Sequence, residues 1–214
     1  MNGGLVDFTV IKVGGGLSQL PGALERVCSA LEALSQLHPM LLVPGGGPFA
    51  DAVRAFEGRA GLSPAAAHWM AILAMDQYAY VLADRISGGV IVEEPGEIRE
   101  VLSAGKIPIM APARWMRSAD VLPHSWDVTS DSIAAVVAGT LGAGRLALIK
   151  PAVSADPVDC YFQAALPAGM PHLIVSWERL DELSVWLSVQ TLLDEDVDVD
   201  VELLDADAER VILR

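Results

Sequence analysis

Apolar positions run along this chain in two alternating rhythms. Short continuous apolar runs at Phe8–Val13, Met40–Val43, Val90–Val92, Ile107–Met110, Leu146–Ile149 and Leu173–Val175 read as buried strands. Between them the spacing lengthens to three and four residues. Leu24, Val27, Leu31 and Leu34 share one face of a helix predicted from about Gly22 to Leu37, with Pro21 at its start. Phe49, Val53 and Phe56 mark a second helix, and Ser63-Pro64 opens a third that runs to about Ile86. A short helix is expected near Glu97–Leu102, and Pro112–Trp126, mixing aromatic and basic residues, is read as irregular. Thr129 or Ser130 caps a helix ending near Gly142, and Ser176 caps another from about Glu178 to Leu192. In the tail, Val197, Val199, Val201 and Leu203 alternate with Asp196, Asp198, Asp200 and Glu202. That period predicts a strand with one acidic, solvated face, closed into a hairpin by Val211–Leu213. It lacks the glycine and helical flanks of a calcium loop.

Strands alternating with helices imply a largely parallel sheet covered on both faces. A length of 214 residues suits one α/β domain, 1–214, with an internal boundary near residues 125–130. Apolar residues make up 52% of the chain, enough for a large core and enough to raise the question of a membrane. The stretch 133–143 is too short to span a bilayer, which takes roughly 20 residues. His68, Asp76 and Gln77 interrupt the stretch 65–83. The first residues carry no basic segment followed by an apolar run, so no signal peptide is expected and the location is read as cytoplasmic. Cys28 and Cys160 lie outside any C-x-x-C pattern and are expected as small buried thiols.

The net charge of −14 predicts a surface that repels nucleic acid and anionic lipid. It would also repel phosphorylated ligands at long range, so a phosphate site needs local positive groups. Two glycine triplets, Gly14-Gly15-Gly16 and Gly45-Gly46-Gly47, each follow a predicted strand and precede a helix. Such loops let successive backbone N–H groups approach a phosphate; the alternative is a pair of plain tight turns. Neither fits a Walker or dinucleotide fingerprint. The chain has only three lysines. Lys12 and Lys150 end buried strands, where an ammonium is costly unless an anion meets it or it reaches solvent. Both fall at the same edge of the sheet, placed to neutralise a transferring phosphoryl group. Lys106 begins its strand at the opposite edge and reads as a surface charge.

The run Asp127-Val128-Thr129-Ser130-Asp131-Ser132 concentrates hydroxyls and carboxylates at a helix start. One of them caps. Asp131 is placed to reach across and orient the lysines; Asp127 is a candidate for a polar substrate group or a magnesium shell. His38, His68 and His172 show no metal spacing; His124, beside Trp126, is the histidine placed near a site. Asp51 and Arg54, just past the second triplet, line a substrate pocket or face water. Arg114 and Arg117 bind phosphate or are solvated.

These residues carry a resemblance. Lys12-Val13-Gly14-Gly15-Gly16, Val43-Pro44-Gly45-Gly46-Gly47-Pro48-Phe49-Ala50-Asp51 and Thr129-Ser130-Asp131-Ser132-Ile133-Ala134 follow the order used by the amino acid kinase family, over roughly residues 8–150. The stretch Leu122–Asp131 is similar to the furan-phosphate kinase branch of methanofuran biosynthesis. The resemblance implies a three-layer α/β/α sandwich with a mainly parallel central sheet. It implies an acceptor-binding half at about 1–125 and a nucleotide-binding half at about 126–214. The implied reaction is ATP-dependent phosphoryl transfer to a small phosphorylated acceptor, an aminomethyl-furanmethyl phosphate, giving the diphosphate. Lys12, Asp131 and Lys150 would be catalytic. The two triplets, with Asp51, Arg54, His124, Asp127, Thr129 and Ser130, would bind phosphate and substrate. Magnesium would arrive on ATP, with no metal held by the protein itself. A homo-oligomer is implied, and a hetero-oligomer with an active kinase subunit is the alternative assembly.

After Lys150 the chain reads Pro151-Ala152-Val153-Ser154-Ala155-Asp156-Pro157-Val158-Asp159, where the family usually carries a glycine-containing Thr-Asp-Val-Asp-Gly turn. Asp156 and Asp159 are the candidates to replace it on the nucleotide side, beside Lys150. This departure supports the alternative function, a catalytically silent relative that binds a phosphorylated ligand or regulates an active partner.

Overall fold

The computed structural model describes residues 8–194. Six strands form one sheet: β1 (Thr9–Val13), β2 (Met40–Pro44), β3 (Gly89–Val92), β4 (Ile107–Met110), β5 (Arg145–Lys150) and β6 (His172–Ser176). Their spatial order is β3-β4-β2-β1-β5-β6, and every pairing is parallel. Helices lie on both faces: α1 (Ala23–Ser35), α2 (Gly47–Ala60), α3 (Pro64–Arg85), α4 (Pro95–Ser103), α5 (Ala113–Ala119), α6 (Ser130–Leu141), α7 (Phe162–Ala165) and α8 (Leu180–Asp194). This is the α/β/α sandwich with a parallel sheet that the sequence implied. Among the described residues no helix is long and apolar enough to cross a membrane. The acidic alternation at 196–203 and the hairpin partner at 211–213 lie outside the described residues.

Side-chain alternation along the strands sorts the core into two layers. Ile11 and Val13 of β1 join Ala147 and Ile149 of β5 against α1 and α8. Val10, Leu146 and Leu148 face the other way, against α6. Parity then decides where the two lysines go. Lys12 follows Val10 by two residues and Lys150 follows Leu148 by two, so both sit on the face that α6 covers. The β1–β5 register pairs Lys12 with Leu148. Strands are added on one side of β1 up to β4 and on the other side from β5, so the topology switches between β1 and β5, and their carboxyl ends form the crevice where parallel sheets bind ligands.

Two elements and one cysteine differ from expectation. Residues 113–119, read as irregular, form α5. Its first N–H, on Ala113, donates to the Asp76 carboxylate 3.0 Å away, and Trp115 and Met116 are buried. The capping group comes from the middle of α3, so no local signal announces this helix. The first glycine triplet is followed by a 3-10 turn at Gly15–Gln19, and α1 starts only at Ala23. Only the second triplet runs straight into its helix. Cys28 is buried as expected, and burial pushes its thiol up to about 11. Cys160 is exposed; it sits in the polar-capped turn between Asp159 and Tyr161, outside both core layers.

Candidate functional site

At the crevice, Asp131 lies between the two lysines. The Lys12 ammonium is 2.9 Å from Asp131 Oδ1, close enough to pair as ions but off hydrogen-bonding geometry. Lys150 Nζ donates to Asp131 Oδ2. Asp131 is 3% exposed and Lys12 4%, so these charges interact through protein more than through water. Burial alone would raise the Asp131 carboxyl, but the two ammonium groups hold it below its ordinary value. Burial and the like charge of Lys12 push the Lys150 ammonium below its ordinary value, against the pull of Asp131. One carboxylate facing two ammonium groups leaves an excess buried positive charge, a situation an incoming anion relieves.

The two glycine loops meet beside this trio. Gly14 N–H donates to Ile149 O at 2.9 Å and Gly45 N–H to Val13 O at 2.8 Å, extending the sheet ladder into both loops. A Cβ on Gly15 would lie 2.1 Å from Gly47 N, and one on Gly45 would lie 2.5 Å from Gly15 N. Real Cβ atoms do not approach backbone that closely, so glycine is required where the loops interlock. Gly47 also needs it for its φ of +51°. The N–H groups of Gly15, Gly16, Gly46 and Gly47 have no hydrogen-bond partner among the described residues. They are the donor set expected of a phosphate cradle.

From Gly46 a cleft of about 90 Å³ opens between α2, α3 and the segment leading into α6. Its walls include Ile72, Met75 and Val128, with Arg54, His68 and Trp126 at its polar end. The Arg54 guanidinium lies over the Trp126 ring, 4.4 Å from its centroid, and the indole N–H donates to Glu57. His68 stacks on His124 with centroids 4.6 Å apart, and Trp69 meets both rings edge-on.

The model of the amino acid kinase family matches residues 7–152. The chain belongs to the amino acid kinase family. Among curated relatives, the (5-(aminomethyl)furan-3-yl)methyl phosphate kinase of Methanocaldococcus jannaschii is 27% identical over 150 residues, 70% of this chain and 66% of that protein. The chain therefore matches just under two thirds of that relative's length. The uridylate kinase of Archaeoglobus fulgidus superposes with a TM-score of 0.54 at 20% identity, covering 70% of this chain and 68% of its own. The UMP kinase of Bacillus anthracis gives 0.66 at 13% identity, covering 86% and 92%. The structural neighbours bear on the fold alone.

Against this amino acid kinase frame, the residues singled out from sequence divide into groups. Lys12, Asp131, Lys150 and both triplets converge at the crevice. Arg54, Thr129 and Ser130 line the cleft. Thr129 caps α6, its Oγ1 accepting from Asp131 N–H at 3.4 Å. Asp51 accepts from Gln19 at 3.0 Å at the surface. His124 holds Asp120 at 2.8 Å, behind His68. Asp127 is exposed and folded back on Ser125. Asp156 is exposed in the loop after Lys150.

Asp159 is fully engaged within the protein. Oδ2 accepts from Thr129 N–H at 2.9 Å, Thr129 Oγ1 at 2.7 Å and Ser132 N–H at 3.1 Å. Oδ1 accepts from Ser132 Oγ and from Tyr161 N–H at 3.1 Å. It ties the post-β5 loop to the first turn of α6, the turn that carries Asp131. Arg114 pairs with Glu93 and Glu94, and Arg117 lies over Trp69. Among the described residues no group of three acidic, histidine or cysteine side chains is placed to hold a metal.

Sequence reasoning gave no role to His68 or Tyr78. The Tyr78 ring would be 3.0 Å from a Cβ on Gly47, so it backs the second loop. A weak signal existed for His68, which falls at helical spacing with Ile72 and Met75 along α3.

Proposed function

We propose that this amino acid kinase transfers the γ-phosphoryl group of MgATP to a compact phosphate monoester, (5-(aminomethyl)furan-3-yl)methyl phosphate or a close analogue, giving ADP and a diphosphate. The observation that carries the reading is the buried Lys12–Asp131–Lys150 trio beside four unpartnered glycine N–H groups. An oxygen of the acceptor phosphate attacks the γ-phosphorus. The bond from that phosphorus to the bridging oxygen of ADP breaks, and ADP leaves with the electron pair. The acceptor oxygen is already anionic near neutral pH, so no general base is required. Lys12 and Lys150 neutralise the equatorial oxygens, while Asp131 keeps both ammonium groups aimed at one point. In this reading residues up to about 125 hold the acceptor, those beyond hold the nucleotide, and magnesium arrives with the nucleotide phosphates. The M. jannaschii relative supports the choice of acceptor.

The test is direct incubation of the chain with MgATP and the furan phosphate, following ADP and the diphosphate by phosphorus NMR. Production of both is expected, and its abolition in Lys12→Ala ties turnover to the trio. No transfer to this or any related phosphate monoester, in protein that binds ATP normally, overturns the reading.

The post-β5 segment motivates a second reading, a silent phospho-ligand-binding or regulatory subunit. Pro151 packs on the first loop, 3.0 Å from where a Gly16 Cβ would lie, and the Asp159 carboxylate is committed to α6. Calorimetry with MgATP separates the readings: the silent subunit requires no nucleotide binding, the kinase requires it.

A further inference from the structure

We infer that His68 is the specificity-determining contact of the cleft, accepting a hydrogen bond through an uncharged imidazole from a hydroxyl or amine at the acceptor's far end. The inference rests on the kinase reading of the site and names what that reading leaves open: how the non-phosphate end of the acceptor is recognised.

His68 is 6% exposed, and neither ring nitrogen has a hydrogen-bond partner among the described residues. A polar ring that deeply buried is ordinarily satisfied by protein or water. Here its neighbours are aromatic faces, His124 stacked on one side and Trp69 edge-on, and its remaining access is to the cleft it lines. Burial comes first and the adjoining His124 second in holding the imidazole below its ordinary range, so near neutral pH it keeps a free lone pair. Two other polar groups of the cleft, Arg54 and Thr129, are poor acceptors, which leaves the Ser130 hydroxyl and His68. Arg54 is a cation, and Thr129 Oγ1 is already engaged by Asp131 N–H and by Asp159. An uncharged imidazole offers one N–H and one lone pair; the lone pair is the acceptor that a donor on the ligand would meet.

The same geometry sets the ligand's size. A Cβ on Gly46 would lie 3.7 Å from Ala71 O, so the second glycine loop abuts α3 at Ala71. His68 is one helical turn earlier, about 4.5 Å along the axis at 1.5 Å per residue. A phosphate at Gly46 and a donor at His68 are thus bridged by a body about one small ring across. Apolar Ile72 and Val128 wall the space between.

The experiment measures steady-state transfer from MgATP to the furan phosphate for the wild type, His68→Leu and His68→Asn. His68→Leu fills the same space without an acceptor. It is expected to raise the acceptor KM about tenfold, the cost of one lost hydrogen bond to a buried group, with kcat and the KM for ATP unchanged. His68→Asn, which restores an acceptor oxygen, is expected to recover part of that loss. An unchanged acceptor KM in both variants overturns the inference while leaving the kinase reading intact. Should the wild type transfer nothing, the kinase reading fails, and imidazole NMR decides the inference by itself. A shift of the His68 ring signals on titration with the furan phosphate upholds it; no shift at saturating phosphate overturns it.

Discussion

The two ends of this site are built in opposite ways. At the phosphate end, charge and backbone are locked together: three ionised side chains share one buried spot and two glycine loops interlock at backbone distance. At the cleft end the contacts are aromatic faces, His68 on His124 and Arg54 on Trp126, on side chains from α2, α3 and the segment before α6. The first arrangement tolerates almost no change in shape, because both ammonium groups depend on one carboxylate and the loops meet backbone to backbone. The second is a set of adjustable surfaces. A site of this kind fixes what is done to the ligand at one end and which ligand is admitted at the other. Substitutions should therefore cost far more at the phosphate end than at the cleft.

The sharpest break is Asp131→Asn. Removing the shared carboxylate strands the buried Lys12 ammonium and the largely buried Lys150 ammonium, and breaking a buried pair costs about 3–5 kcal/mol. Urea denaturation should show that loss, and turnover should fall by at least about 10³-fold. The acid limb should change as well. The folded-state pKa of Asp131 lies below its ordinary 3.8. Its contribution is present above that value and is lost as pH falls through the folded pKa. That loss should be missing from the variant's acid titration.

Next in size is Gly15→Ala. Its Cβ would fall 2.1 Å from Gly47 N, so the loops must separate. Overpacking of this kind costs about 2–3 kcal/mol, and the four free N–H groups would no longer converge. Ligand binding should weaken more than stability does. Equal loss of both would mean that the loops act only as packing.

Asp159→Asn tests whether the phosphate end depends on its support from α6. Five donors converge on the Asp159 carboxylate, and an amide must turn its own N–H groups toward some of them. A cost of about 2 kcal/mol follows. Because the first turn of α6 carries Asp131, kcat should fall while nucleotide affinity changes little. A selective loss of nucleotide affinity would instead place Asp159 in contact with the nucleotide.

The contrast between the two ends also explains what could be read from the sequence. Lys12 and Lys150 end apolar runs whose parity is visible residue by residue, and the glycine triplets are contiguous. Their meeting point needed only the parallel sheet, and Asp131 needed only its place in the first turn of a capped helix. The cleft was not legible in that way. His68 sits inside an apolar helix with no local partner. Its ring partner His124 comes from the irregular segment after α5, across the fold from α3. Asp159 was noticed for its charge, while its actual partners, Thr129 and Ser132, lie across the fold on α6. Local pattern specifies strand faces and loop chemistry; side-chain convergence between distant elements is set by packing.

At the cleft end the effects should be smaller and tied to pH. His68 at the cleft, and His38 in the connection between α1 and β2 away from it, both titrate below their ordinary value of 6.5, chiefly through burial. Below that pH the unfolded chain binds protons that the folded chain refuses, so stability falls on acidification from about pH 7 to pH 5. Each such group contributes at most about 1.4 kcal/mol per pH unit. The midpoint of thermal unfolding followed across this range should slope downward, and His68→Leu should flatten part of the slope.

The smallest effect expected is that of Arg54→Ala. The guanidinium lies 4.4 Å from the Trp126 centroid, but Arg54 is exposed, and an exposed cation–π contact is worth about 0.5 kcal/mol. Stability should barely move. Trp126 would still be held through its indole N–H on Glu57, so the wall stays in place and only its outer face is uncovered. Acceptor KM should rise by no more than about threefold, with kcat unchanged. A large fall in kcat would mean that Arg54 reaches the transferring phosphate itself, and the division between a rigid phosphate end and an adjustable cleft would have to be redrawn around α2.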